Sequence, residues 1–323
     1  MNPIWRKSVL ALTACLSLSA AAAESYPDRP VRLIVPYAPG GATDLIARFI
    51  AEPLGRVLKQ PVVVENKSGA GGMLGTGDVA RAQADGYTLG IGTVSTMVIF
   101  PAVHPKPGYK VADFAPITNI AQMPNVIAVN PSFPANDLKE FIAVLKANPD
   151  KYSYATSGIG SINHMMGESF QAGAGVKIRH VPYRGAGPAM QDVMGGQVEI
   201  LVDQLPSSKT FIDSGKLKLI GVIADKRVPA YPDVMTMQDV GIRDFNDQAW
   251  YGLIAPAGVP APVMSKLSAA MQEVMTMPEV RQRLEAAGAT PLGSSSQAYL
   301  SQINAEVEKM RALVKARNIS LQE

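Results

Sequence analysis

The sequence has one cysteine and three histidines in 323 residues. A single cysteine closes no internal disulfide, and His104, His164 and His180 are too scattered to show the ligand spacing of a zinc site. Charge of neither sign dominates: Lys plus Arg is 30, Asp plus Glu is 27, and the formal net charge is +3. That balance excludes a protein that coats nucleic acid, which needs a basic stripe to neutralise phosphates. Charged residues make up 18% and hydrophobic residues 47%, so the chain has material for a core and too little charge for disorder. No apolar run approaches the ~20 residues that span a bilayer. Internal repeats of solenoid period, low-complexity tracts and heptads are also missing. What is plentiful is Gly (28) and Pro (25), the residues of tight turns. The length predicts two domains, or one large one.

The N-terminus reads as a secretory leader. Arg6 and Lys7 form a positive n-region, residues 8–20 an apolar stretch, and Ala21 and Ala23 an A-x-A cleavage pattern ahead of Glu24. A signal peptide over 1–23 predicts a periplasmic protein. Leu12-Thr13-Ala14-Cys15 loosely resembles a lipobox, so lipid anchoring at Cys15 is the alternative. Without the leader, 28 basic residues face 27 acidic ones.

From residue 30 onward short β-branched runs alternate with helical periodicity. VRLIVPY (31–37), PVVVEN (61–66) and YTLGIGT (87–93) read as strands, with helices over 45–58 and 73–83 between them. After an extended segment (116–132) the rhythm restarts. Helices are predicted over 137–149, 161–175, 188–197 and 209–216, and strands over 151–157, 177–183, 198–204 and 217–225. WYGLIAPAGVP (250–260) is a further strand, followed by helices over 261–277, 278–287 and 296–317. The alternation predicts parallel sheets covered by helices, an α/β fold. The closing helices have no sheet of their own. The chain is therefore expected to leave domain 1 (24–122), build domain 2 (123–226) and return to domain 1 (227–323). The two crossings are expected near 116–130 and 217–226.

Open α/β sheets bind ligands at the carboxyl ends of their strands. Six loops there are rich in Gly, Ser and Thr: 36–44, 66–72, 92–96, 155–161, 182–189 and 203–208. Helix N-termini offer free N–H groups, and glycine lets backbone approach a ligand closely. The candidate binding residues are Tyr37, Ala38, Gly40 and Gly41 in the first loop, Ser68 in the second, and Thr93 and Ser95 in the third. Thr156, Ser157, Gly158 and Ser161 follow in the fourth, Tyr183 in the fifth and Asp203 in the last. Asp44, His164 and Arg184 form a second tier. Asp44 suits a helix's first turn better than a ligand contact, and Asp203 suits either a ligand ammonium or hydroxyl or a helix cap. The pattern favours a small anion. Nucleotide and hydrolase motifs are missing: GAGGML (69–74) lacks the third glycine of a dinucleotide fingerprint, and neither a P-loop nor G-x-S-x-G occurs. No metal or cofactor is expected.

Several segments together resemble the receptors of tripartite tricarboxylate transporters, the Bug family of bacterial periplasmic solute-binding proteins. They are YPDRPVRLIVPYAPGGATDLIAR (26–48), VVVENKSGAGGMLGTGDVARAQADGYTL (62–89), DFAPITNIAQMPNVIAVNP (113–131), YSYATSGIGSINHM (152–165), VPYRGAGPAMQDVMGGQVEILVD (181–203) and AWYGLIAPAGVP (249–260). The resemblance implies a two-domain periplasmic-binding-protein fold, type II-like, closing like a Venus flytrap over its ligand. It implies a monomer that captures a small carboxylate or amino acid and delivers it to membrane permease subunits. It places the carboxylate between loops 36–44 and 155–161. Two alternatives share the scaffold: presentation of ligand to a sensor kinase, and a periplasmic enzyme. For the latter no nucleophile–base pair is evident.

Overall fold

The computed structural model of the chain describes residues 26–104, 106–242 and 248–317. The expected leader, with Cys15, lies outside the described residues. Two sheets carry the fold. The first contains β1 (Val31–Val35), β2 (Val62–Asn66), β3 (Thr88–Thr93), β4 (Phe114–Met123), β10 (Ala249–Pro256) and β11 (Thr290–Pro291), in the order β2-β1-β3-β10-β4-β11. The second contains β5 (Asn125–Val129), β6 (Ser153–Thr156), β7 (Arg179–Pro182), β8 (Ile200–Gln204) and β9 (Lys218–Ile223), in the order β7-β6-β8-β5-β9.

Both sheets obey one plan. In each, three parallel strands of βα units lie beside one antiparallel strand delivered by a crossing. In the first sheet that strand is β10; in the second it is β5. The outward crossing is a single residue, Pro124, between β4 in one sheet and β5 in the other. The return differs from expectation. Lys218–Ile223 is not a crossing but the edge strand β9, paired antiparallel to β5. A run with Ile220, Val222 and Ile223 buried completes the sheet. The chain goes back to the first sheet between Ala224 and Gln248.

The helices follow the apolar periodicity. They are α1 (Ala42–Leu58), α2 (Met73–Ala80), α3 (Phe100–Val103), α4 (Leu138–Ala147), α5 (Ile162–Ala174), α6 (Ala186–Met194), α7 (Leu205–Asp213), α8 (Ala261–Thr276), α9 (Pro278–Ala286) and α10 (Ser296–Arg317). On α1, Ile46, Ile50 and Leu54 recur four apart and are fully buried, each worth about 1.5–3 kcal/mol of burial. Lys59, in the left-handed region at φ 58°, ends that helix. No helix among the described residues is long and apolar enough to cross a membrane.

Two elements correct the sequence reading. Helix α7 begins at Leu205, not 209, so 203–208 is a strand end and a helix start rather than a loop. Pro206 fits the first turn, where a missing N–H breaks no bond, and Ser207 and Ser208 donate their hydroxyls to Asp203. After β3, Ser95–Ile99 forms one wide helical turn running into α3. Its residues Met97, Val98, Ile99 and Phe100 are buried, a helical face that the loop expectation for 92–96 did not anticipate.

Candidate functional site

The carboxyl ends of both sheets face each other across a cleft, and the cleft is shut. The Ala38 N–H donates to the Arg184 carbonyl at 3.1 Å. The Ile162 N–H donates to Ser95 Oγ at 2.9 Å. The Tyr251 hydroxyl donates to Gln204 Oε1 at 3.1 Å. Each bond joins one lobe to the other. Glycines make the approach possible: a Cβ at Gly187 would strike the Pro39 carbonyl, and one at Gly41 would sit 3.2 Å from Ala186 Cβ.

Between the lobes lies a cavity of about 20 Å³, room for about one water in this closed arrangement. The first lobe contributes Gly41, Ala42, Thr43, Thr93, Ser95 and Tyr251; the second contributes Ser157, Ile162, Asn163, Ala186 and Gln204. Four helices start on this wall: α1, α5, α6 and α7. Helices α1 and α6 begin at Gly41 and Gly185 without any side-chain cap, so their first N–H groups have no intrahelical partner. Asn163 is decisive. It is 1% exposed; its Oδ1 accepts from Ser157 at 2.8 Å, and its Nδ2 has no partner. A buried amide N–H₂ facing a cavity calls for an acceptor there. Among the described residues, no Lys or Arg lines the space.

The electrostatics agree. Burial pushes the Tyr37 and Tyr251 phenols above their ordinary range, so both stay protonated. Tyr37 donates to the Gly71 carbonyl at 2.8 Å. Behind the cavity, burial raises the Asp203 carboxyl against the hydroxyls of Ser207 and Ser208 and the Gln204 N–H. Its Oδ1 has no partner. Tyr37, Tyr251 and Ser157 have spent their hydroxyl protons within the fold, so the neutral donors left on the wall are Asn163 Nδ2 and the uncapped starts of α1 and α6.

A family model described as the tripartite tricarboxylate transporter family receptor matches residues 46–319. The chain belongs to this receptor family. Protein BugT of Bordetella pertussis is 34% identical over 301 residues, covering 93% of this chain and 92% of its own. A solved periplasmic transporter is 45% identical, with a TM-score of 0.89 over 92% of this chain and 100% of its own. The R. palustris protein Rpa4515, solved with adipate, is 32% identical with a TM-score of 0.87, covering 92% of this chain and 99% of its own. MatC from Rhodopseudomonas palustris, solved with malate, is 33% identical with a TM-score of 0.84, covering 90% of this chain and 100% of its own. The two-domain periplasmic-binding-protein architecture follows from these matches.

Within this family receptor, the expected residues fall into two groups. Tyr37, Gly41, Thr93, Ser95 and Ser157 line the cavity. The others do not. Ala38 and Gly40 shape the first loop, with the Gly40 N–H on Asp44 Oδ2 at 3.1 Å. Asp44 also accepts from Arg48 and Asn66. Burial pulls its carboxyl up, but those bonds outweigh burial and hold it below its ordinary range. Ser68 stands outside the cavity wall. Thr156 lies 2.7 Å from His180 Nε2 and accepts from the Gly158 N–H. Ser161 caps α5 through the His164 N–H. Tyr183 donates to Asp192 at 2.6 Å. Gly158, Tyr183 and Arg184 line a separate, more apolar cavity with Met73, Phe100 and Ile159. His164 stacks on His180 with ring centroids 4.1 Å apart. Asp203 sits one residue behind the wall, where its Oδ2 accepts the hydroxyls of Ser207 and Ser208 and not a helix N–H.

Sequence reasoning missed Thr43, Ile162, Asn163, Gln204, Trp250 and Tyr251 of this receptor's cleft. Asn163 carried a faint signal: a polar residue directly after the apolar Ile162 in the first turn of a helix that follows a Gly-Ser loop. Gln204 fell inside the candidate loop 203–208 but read as the polar end of a core strand, and Tyr251, inside a strand that reads as core, carried no signal.

Proposed function

We propose that the chain is a periplasmic receptor that captures a small carboxylated solute between its lobes and hands it to membrane permease subunits of a tripartite transporter. It is exported by the leader 1–23 and works as a monomer. Its working division is 24–122 with 227–323 against 123–226, hinged at Pro124 and the return segment. The observation that carries the reading is the unpartnered Asn163 amide, set in a closed wall of hydroxyls and uncapped helix starts with no cation. An oxyanion with several acceptor sites satisfies those donors together; a cation or an apolar ligand leaves them unpaired. The malate and adipate held by two relatives support the carboxylate class. The reading includes no turnover.

The test is a thermal-shift panel on refolded protein, so that no co-purified solute masks the response. A true ligand at a hundredfold excess over Kd adds about 2.7 kcal/mol of stability. Malate, succinate, adipate, glutamate and nicotinate are the first probes, with sulfate and a neutral sugar as controls. A carboxylate is expected to raise Tm; a panel in which no carboxylate or amino acid does so overturns the reading.

A further inference from the structure

The inner cavity shares part of its wall with a second, larger one. Val94, Ile162 and Trp250 line both. The outer chamber has a volume of about 410 Å³, against about 20 Å³ inside. It is bounded on its far side by α10; Val98, Met310 and Leu313 give it apolar wall, and Asp225, Gln302, Glu306 and Lys309 give it polar and charged wall. Only the thickness of these shared side chains separates a space for about one water from one that accommodates an alkyl chain.

Trp250 is the largest of the three and the most firmly held. It is 3% exposed. Its indole N–H donates to Glu306 Oε2 at 2.8 Å. Glu306 Oε1 in turn accepts from Gln302 at 2.9 Å, and Gln302 accepts from Asn119 at 2.8 Å. Tyr299 meets the indole edge-on, with centroids 5.3 Å apart and planes at 88°. The ring is therefore clamped from its own lobe by α10 and β4, independently of whether the lobes are open or closed. Ile162, the first residue of α5, meets the wall from the opposite lobe, so the partition completes itself only on closure.

We propose that Trp250 sets the length of the carboxylate this receptor accepts. The inference rests on the carboxylate reading above. The indole is the back wall of the binding cavity, and Glu306 is a positioning residue that fixes its plane. A compact acid fits in front of the ring. A longer unbranched diacid has to cross the partition into the outer chamber, where Val98, Met310 and Leu313 flank its methylenes. Shortening the wall joins the two spaces and turns the outer chamber into a subsite for the distal part of the chain.

The experiment is calorimetric binding of a homologous series, malonate, succinate, glutarate, adipate and suberate, to the refolded full chain and to three variants. The unaltered protein is expected to prefer one of the shorter acids and to lose at least tenfold in affinity towards suberate. Trp250→Ala should move the optimum at least two methylenes longer and raise the suberate-to-succinate affinity ratio at least tenfold. Trp250→Phe, which keeps a ring without its N–H, should preserve the original order. Ile162→Ala opens the same partition from the other lobe. It provides the same readout if Trp250→Ala does not fold, and should shift the ratio in the same direction. An unchanged ratio in folded Trp250→Ala, or in Ile162→Ala where that is the variant read, overturns the length reading alone. Absence of binding by any acid to any form overturns the carboxylate reading with it.

Discussion

The two lobes follow one plan of strand order yet present their donors differently. The first lobe offers backbone. Helix α1 starts on Gly41 with no side-chain cap, and its first N–H groups open on the cavity beside Thr43 and Thr93. The second lobe has already filled the start of α5. Ser161 caps it, and the Ile162 N–H is taken by Ser95 from across the cleft. It offers a side chain instead, the Asn163 amide, together with the uncapped start of α6. One face is therefore shaped by what glycine leaves out, the other by what asparagine supplies. Mutation tests the two in different ways: the first yields only to changes of shape, the second to changes of chemistry.

The largest effects should come from shape. In Gly187→Ala the new methyl strikes the Pro39 carbonyl, so the lobes cannot reach their present spacing. If the closed state falls to about one molecule in a hundred, apparent affinity falls roughly a hundredfold. Tm without ligand should stay near the parent value; unchanged calorimetric affinity would show that closure does not need this contact. Gly41→Val should act similarly from the first lobe, its branches meeting Ala186 and entering the cavity.

Chemistry comes next. Asn163→Leu keeps the volume and removes the amide. A hydrogen bond to a charged group is worth about 1.5–3 kcal/mol, so affinity for a carboxylate should fall at least tenfold. Asn163→Asp should bind worse still, because like charges then face each other. If both variants bind as the parent does, the second lobe contributes backbone only and the contrast between the lobes disappears. Ser157→Ala removes the hydroxyl that orients the amide. A loss of about 1 kcal/mol, near fivefold, is expected, and the double variant with Asn163→Leu should show little further loss.

The smallest effect is on stability. His164 and His180 stack behind loop 155–161, and the Gly160 N–H donates to His164 Nδ1 at 3.2 Å. Burial, reinforced by the neighbouring His164, pushes His180 down to about 3; burial also lowers His164, against a weaker opposing pull from Glu168. In the fold His180 stays neutral down to about 3 and His164 takes up its proton at lower pH than it does unfolded, while the unfolded chain binds protons below about 6.5. The unfolded state thus holds more protons in that window, and stability falls as pH drops from about 6.5 towards 3. Tm measured from pH 7.5 to 4 should decline by a few degrees more in the parent than in His164→Gln/His180→Phe, a modest shift for a chain of this size. Parallel curves would show that the stack carries no such linkage.

Much of this molecule was legible in the chain. Apolar periodicity located α1, α5 and the strands, because burial on one face is written in residue spacing. Gly-Ser-Thr loops marked the edge where the two lobes meet, because only small residues let helix starts and backbone approach there. The residues that were missed share one reason. Asn163, Gln204 and Tyr251 are polar groups on buried elements, and spacing along the chain does not reveal which neighbour satisfies them. Asp203 and Ser161 were legible as polar residues at element ends; whether such a group caps its own helix or faces a ligand depends on distances of a few ångströms across the fold.

The sequence by itself determined the class of architecture, the loops that meet at the cleft and the absence of a dominant bulk charge. Those follow from local propensities and from the near-balance of 30 basic and 27 acidic residues. Tertiary structure alone decided which donors remain free once the lobes close, and that Trp250 divides a small cavity from a large one. Both depend on atoms brought together from opposite lobes, where packing and hydrogen-bond satisfaction are settled by three-dimensional distance and not by order along the chain.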